Sequence, residues 1–339
     1  MTGLTPPIPD SDDWQLLLSE SVRTSRELLD FLKIDPAQVA VLPEAQLDFP
    51  CRVPQPFMER MQPGNPEDPL LLQVLPLANE AAEVPGYVAD PLQEAGATPA
   101  AGIIHKYNGR VLLVAAGACA VNCRYCFRRH FPYQDHLLDR FRLNQSVDYI
   151  RSEATISEVI LSGGDPLVLS DRRLYDIVCR LDKIPHLRRL RIHTRLPVVL
   201  PQRVTPALTG LLESTRLNVV VVIHSNHANE LDDEVGTGLA QLRGAGITLL
   251  NQSVLLRGVN DDAASLALLS ETLFSRGVLP YYLHLLDPVA GSAHFHVPEV
   301  KARELYAAVL NRLPGYLVPR LVREEPGKGS KSLLLPACS

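Results

Sequence analysis

Cys119, Cys123 and Cys126 stand in the stretch Cys119-Ala-Val-Asn-Cys123-Arg-Tyr-Cys126, directly after the apolar run Val111 to Ala115. Three thiolates this close together on a loop can ligate three irons of a [4Fe-4S] cube and leave the fourth iron open to another ligand. The competing chemistry is a structural zinc site, which wants a fourth Cys or His at ligand spacing, as in paired Cys-x-x-Cys units. His130 is the nearby residue of that kind. It lies in the basic run Arg128-Arg129-His130 rather than at a ligand offset from a second cysteine, so the cluster is the expected use of the loop.

Such a loop needs a framework that presents it at the end of a strand. Short β-branched runs alternate with amphipathic stretches of helix length, the pattern of repeated βα units and a parallel sheet. Strands are predicted over Val111 to Ala115, Glu158 to Ser162, Arg189 to His193, Asn218 to His224, Thr248 to Leu255 and Pro280 to Leu286. Helices are predicted near Val147 to Glu153, Arg172 to Lys183, Pro206 to Glu213, Glu234 to Gly244, Ala263 to Arg276 and Pro298 to Leu310. Six units are too few to close an eight-stranded barrel. The fold class is therefore α/β, an open (β/α)6 partial TIM barrel with its chemistry at the carboxyl ends of the strands. Ser162-Gly163-Gly164-Asp165 follows the second strand, and glycines there let the backbone approach a polar ligand closely or take a positive φ. A Gly-Gly-Asp-Pro turn is ordinary by itself, but it sits one βα unit after the cysteine loop.

Residues 1–98 carry many prolines and two helical-looking segments, Trp14 to Glu20 and Ser25 to Leu32, and read as a helical N-terminal extension. Residues 99–318 form the barrel and 319–339 a short C-terminal segment. A chain of 339 residues with 46% hydrophobic content can build a sizeable core. A formal net charge of −5 and the lack of a long basic run give no reason to expect nucleic acid as a direct partner. Neither a signal-like start nor an apolar run of membrane-spanning length is present, so the cytoplasm is the expected compartment and no membrane association is expected. Its reducing conditions would also protect an oxygen-sensitive cluster. Cys51, Cys179 and Cys338 read as ordinary thiols.

The spacing of the cysteine triplet resembles that of the radical S-adenosylmethionine (SAM) superfamily. Several longer stretches are similar, in the same order, to the lysine 2,3-aminomutase family: His105 to Arg110, Cys126 to Arg129, Pro197 to Pro206, Gln252 to Asp261, Tyr282 to Asp287 and Pro326 to Lys331. Within it, the short form linked to elongation factor P is the better match. The longer clostridial type carries a C-terminal extension with zinc-binding cysteines. The sequence ends at Cys338-Ser339, which argues against that zinc and against extension-mediated assembly.

The resemblance implies a [4Fe-4S] cluster on Cys119, Cys123 and Cys126, reductive cleavage of SAM to a 5′-deoxyadenosyl radical, and migration of nitrogen from C2 to C3 of L-lysine. It implies that Gly163, Gly164 and Asp165 meet the SAM amino group. Pyridoxal phosphate (PLP) would be held as a Schiff base by a lysine. The lysines are Lys33, Lys106, Lys183, Lys301, Lys328 and Lys331, and a glycine-bearing segment that can swing away suits the exchange with substrate amine. Lys328 and Lys331 both fit that description; the family motif selects Lys331. Without the cysteine loop, the same segment would read as a solvated basic tail.

Lys106, Tyr107 and Arg110 match cofactor-phosphate contacts, with Lys106 in place of the family's arginine. Arg128 matches the partner of the substrate carboxylate, for which its planar fork is suited. Asp287 and Glu324 match the acids that receive the distal ammonium, Glu324 replacing an aspartate. Two acids at that end favour lysine over glutamate, the substrate of the alternative glutamate 2,3-aminomutase. A non-catalytic iron-sulfur partner protein would have no use for this constellation. The implied pathway is supply of (R)-β-lysine for elongation factor P, with a companion lysyl-transferase and an electron donor such as flavodoxin or ferredoxin.

Overall fold

The run Asn218-Val-Val-Val-Val-Ile-His224 shows why a sheet forms: β-branched side chains pack well on a pleated surface and lose rotamer freedom in a helix. In the computed structural model, which describes residues 13–100, 102–136 and 138–336, this run is the middle of one sheet. Its strands are β1 Ile103–Tyr107, β2 Arg110–Ala116, β3 Glu158–Gly163, β4 Arg189–Thr194, β5 Asn218–His224, β6 Thr248–Val254, β7 Leu279–His284, β8 Arg320–Arg323 and β9 Ser332–Leu333. They lie in sequence order, β2 to β8 parallel, with β1 and β9 antiparallel at the edges.

Helices Arg140–Ser152, Asp171–Asp182, Pro206–Ser214, Asp233–Gly244, Ala263–Ser275 and Glu299–Leu310 make the crossovers. Asp139, Ser170, Thr205, Asp232 and Asp262 cap the first five, each side chain accepting a hydrogen bond from an amide of the first turn that the helix cannot satisfy.

All six predicted strands and six predicted helices are present, so the partial barrel stands. Strand β8 adds a seventh parallel strand, and with β9 it brings residues 320–323 and 332–333 of the C-terminal segment into the sheet. The edges of the sheet approach each other: Lys106 on β1 places Nζ 3.4 Å from Oε1 of Glu324, the residue after β8. The sheet is thus curled until residues from both ends share one site.

The described part of the N-terminal extension, residues 13–98, is only sparsely helical. Helices Asp13–Ser19 and Ser25–Phe31 are its longest, and turns dominate where Pro36, Pro43, Pro50, Pro54, Pro63 and Pro76 remove amide donors. It is not a separate unit, since Trp14, Leu28, Phe57, Leu71 and Leu75 lie in one apolar cluster with Leu113, Leu161, Ile192, Val221 and Leu249 of the sheet. No helix among the described residues is long and apolar enough to cross a membrane. Cys51 is buried and its thiol pushed up to about 12 by that burial, Cys179 is half-buried, and Cys338 lies outside the described residues.

Candidate active site

The cysteine loop leaves β2 and is drawn against the end of β3 by backbone bonds. Gly164 N donates to Ala116 O at 2.7 Å, and Asp165 N to Ala118 O at 2.8 Å. Both glycines are required by this approach. A Cβ on Gly164 would lie 2.3 Å from Ala118 O, and one on Gly163, whose φ is +113°, would lie 2.5 Å from Ala116 O. Gly164→Ala should therefore push the cysteine loop off β3, cost about 2 kcal/mol of stability, and lower the iron retained per chain. Thermal denaturation with iron analysis checks this, and an unchanged pair of values would remove the glycine from the account.

Cys119, Cys123 and Cys126 are free and half-buried. Burial, and then the charges of Cys126, Asp165 and Cys123, push the Cys119 thiol well up. The Cys126 thiol is pushed up to about 11 by burial, with Cys123 adding to it. Thiols that resist one another's ionisation in this way are ready for a shared cationic ligand. Among the described residues no three Cys, His, Asp or Glu side chains converge as ligands of a single ion would.

Arg195, directly after β4, holds Nη1 2.8 Å from Cys123 Sγ and 2.9 Å from the Tyr125 hydroxyl. Its Nη2 is fixed by Gln73 at 2.7 Å and Glu230 at 3.0 Å.

Asp165 is heavily partnered within the fold. Its buried carboxylate accepts from Thr194 Oγ1 at 2.7 and 2.9 Å, Arg195 N at 2.7 Å, Leu196 N at 3.0 Å and Leu167 N at 3.0 Å. Five contacts occupy both oxygens, so this side chain joins the ends of β3 and β4 beside the cysteine loop.

Across the barrel mouth runs a chain of alternating charge. Arg128 donates from Nε and Nη2 to Glu94 at 2.7 and 2.9 Å. Lys106 Nζ lies 3.1 Å from Glu94 and 3.4 Å from Glu324. Lys331 Nζ donates to the other oxygen of Glu324. Burial acts to raise the Glu324 carboxyl, but Lys331, Lys106 and the Tyr107 hydroxyl outweigh it and hold it at about 2. Arg110 stacks 4.5 Å above the Tyr107 ring. Lys106, Tyr107 and Arg110 come from the β1–β2 hairpin, turned by Asn108-Gly109 with Gly109 at φ +75°, and not from the carboxyl ends of the parallel strands.

Asp287, after β7, is pushed up to about 7 by burial and then by the charge of Glu324, with Lys331 and Lys106 opposing. Lys328 is exposed on the turn that precedes Lys331, so only Lys331 of the two reaches the site. His193 on β4 and His284 on β7 are held neutral, His193 by burial and then Arg191 and Lys331, and His284 by burial and then Lys331. Each keeps a buried Nε2 without a hydrogen-bond partner among the described residues.

No family model matches the chain. It is 46% identical to L-lysine 2,3-aminomutase of Haemophilus influenzae over 97% of its own length and 97% of that protein. It is 46% identical to the Escherichia coli protein of the same name over 96% of its own length and 95% of that one. The chain belongs to the L-lysine 2,3-aminomutase family. The Clostridium subterminale L-lysine 2,3-aminomutase is a more distant relative, 35% identical over 96% of this chain and 79% of that one. Among solved structures, a radical SAM methyltransferase from Sphaerobacter thermophilus overlaps 65% of this chain and 68% of its own at 20% identity and a TM-score of 0.45, too remote to bear on chemistry.

In this lysine 2,3-aminomutase family member, the sequence reading named the cysteines, Arg128, Asp287, Glu324 and Lys331, and the structure sets Glu94, Arg195, His193 and His284, which it did not name, among them. The signal for Arg195 and His193 was their place at the carboxyl end of β4, where barrel enzymes put working residues. His284 ends β7 in the same way.

Proposed function

We propose that this chain is a radical SAM, PLP-dependent L-lysine 2,3-aminomutase forming β-lysine. The observation that carries the reading is the ammonium of Lys331 resting on Glu324, with the Asp287 carboxyl close enough to feel both charges: one acid already accepts an alkylammonium, and a second stands by, at one end of a site whose other end presents Arg128. When bound, the cluster and SAM supply a hydrogen-abstracting radical, and PLP supplies the π-system through which nitrogen migrates.

The protein's share is to hold and orient. Cys119, Cys123 and Cys126 would hold the cluster, with the Arg195 guanidinium against the Cys123 sulfur. Gly163 and Gly164 would offer backbone to SAM. Lys106, Tyr107 and Arg110 would meet the cofactor phosphate, Lys106 as a point charge. Lys331 would carry PLP. The unpartnered nitrogens of His193 and His284 beside it support a polar ring there, because buried polar atoms without partners mark a missing ligand. Arg128 would pair with the substrate carboxylate. Once Lys331 leaves Glu324 for the cofactor, Asp287 and Glu324 are free for the substrate's distal ammonium.

A glutamate side chain would bring a carboxylate against these same acids, so glutamate is disfavoured by like charge. Anaerobic incubation with SAM, PLP, reductant and either amino acid, followed by chiral analysis, tests the assignment. β-Lysine is expected, and turnover of glutamate alone would refute it. Similarity to the short subfamily supports the R product, its transfer to elongation factor P by a companion lysyl-transferase, electrons from flavodoxin or ferredoxin, and a cytoplasmic setting.

Asp287 gives a pH signature. Its carboxyl must be ionised to take the ammonium, and with its pKa raised to about 7 the ionised fraction falls as pH drops below that value. KM for L-lysine should rise by about tenfold per pH unit below 7, while Asp287→Asn should show a high KM without that slope. Steady-state kinetics across the pH range measure both. A flat wild-type profile would contradict the role.

A further inference from the structure

Glu94 lies outside every motif noted above, yet it joins the two cations that face opposite ends of the proposed reactants. It is buried, 4% exposed, and its carboxylate takes the Nε/Nη2 edge of Arg128 while one oxygen also meets Lys106. A guanidinium has a second bidentate edge, Nη1/Nη2. There Ser162 Oγ lies 3.2 Å from Nη1, and the rings of Phe127 and Phe131 sit 4.8 and 5.9 Å from the guanidinium carbon. Glu94 therefore fixes the plane of the fork from the side, while at its end the polar partner among the described residues is the neutral Ser162 hydroxyl, with no acid on that edge.

The segment carrying Glu94 is itself anchored. Val88 N donates to Pro288 O at 3.0 Å and Ala290 N to Val88 O at 3.0 Å, tying the segment to the loop that holds Asp287. Leu92 is buried, and Gln93 takes a left-handed conformation at φ 51°, ψ 45° immediately before Glu94. Backbone strain of that kind in a non-glycine residue persists where the surroundings enforce it, and it collects at functional sites. A plug meant to be displaced by substrate would not need this anchoring.

We infer that Glu94 is a positioning residue for substrate-carboxylate recognition: it orients Arg128 by a side-on ion pair so that the guanidinium end meets the carboxylate of the incoming amino acid. The inference rests on the proposed aminomutase reading and adds a residue to it. Two contacts on the side edge remove the rotation about the Arg128 side chain that an unsupported fork would retain, and pre-orientation of this sort lowers the entropic cost of binding. It also neutralises one of the two clustered cations, so that the substrate carboxylate completes a balanced charge set.

The test compares two ligands that differ only at the carboxyl group. PLP-loaded protein, without reductant, is titrated with L-lysine or with L-lysinamide, and binding is read from the cofactor's absorbance. Glu94→Gln keeps the shape of the side chain and removes its charge. It should bind L-lysine roughly tenfold more weakly and L-lysinamide as the unaltered protein does. Glu94→Asp, with charge but shorter reach, should show the same selectivity to a smaller degree, and it serves if Glu94→Gln fails to fold or to load PLP.

Equal weakening toward both ligands would make Glu94 a scaffold residue and overturn the inference. So would unchanged affinity for both. Tighter L-lysine binding would mean that Glu94 competes with substrate, which also overturns it. If unaltered protein binds PLP but its absorbance ignores L-lysine, the aminomutase reading itself fails, and the inference with it.

Discussion

Replacing Lys331 by alanine will abolish PLP loading and lower lysine turnover by about 10,000-fold or more, while iron per chain stays the same. The expectation rests on reach. Of the two lysines on the C-terminal segment, Lys328 is exposed and Lys331 is turned inward, its ammonium on Glu324 and 6.0 Å from the centre of the Tyr282 ring. Lys106 is the other lysine at the site, but Glu94 and Glu324 hold it from two sides. Removing Lys331 leaves Glu324 with Lys106 and Tyr107, so the carboxylate keeps partners and the fold should persist. The Lys328→Ala protein should load PLP normally. Absorbance of the purified variants decides between them, and loss of PLP in Lys328→Ala alone would transfer the role.

Substituting Cys123 by serine will have the opposite pattern: iron and SAM cleavage are lost, and PLP loading is kept. Three thiolates are the whole protein contribution to the proposed cube, and a serine hydroxyl is a poor replacement for a soft ligand. The loop around it is independently secured. Arg124 N donates to Gln73 O at 2.8 Å, and the buried Arg124 fork pairs with Glu80 at 2.9 and 2.6 Å. Arg195 would lose the Cys123 contact but retain Gln73 and Glu230. Turnover should fall to background, because nothing else in the site generates a radical. Iron and sulfide analysis beside PLP absorbance measures the dissociation, and a full cluster in the serine variant would remove Cys123 from the ligand set.

Most of the barrel was legible because each β-branched run is long enough to announce itself. Asn218 to His224 and Thr248 to Val254 have no competing helical pattern. Strand β8 escaped because Arg320-Leu-Val-Arg323 is four residues flanked by charge, and β9 is two residues long. Strand β8 adds to the edge that β7 offers, and β9 adds in turn to β8. The cysteines, Arg128, Asp287, Glu324 and Lys331 could be read from local motifs. Glu94 could not. It lies in a turn-rich stretch whose composition predicts only a connection, and its partner Arg128 is 34 residues away. The partners of Asp165 were hidden for a related reason: a carboxylate at a strand end signals a ligand site, but only the folded chain reveals that Thr194, Arg195 and Leu196 reach it from the next strand.

In the proposed reaction a radical raised at the cysteine loop acts on lysine held between Arg128 and the Asp287–Glu324 pair. Incubating anaerobically reduced holoenzyme with SAM and L-lysine deuterated at C3 tests it directly. Deuterium should appear in 5′-deoxyadenosine or in recovered SAM as β-lysine accumulates. β-Lysine formed with no deuterium in either nucleoside would contradict the account.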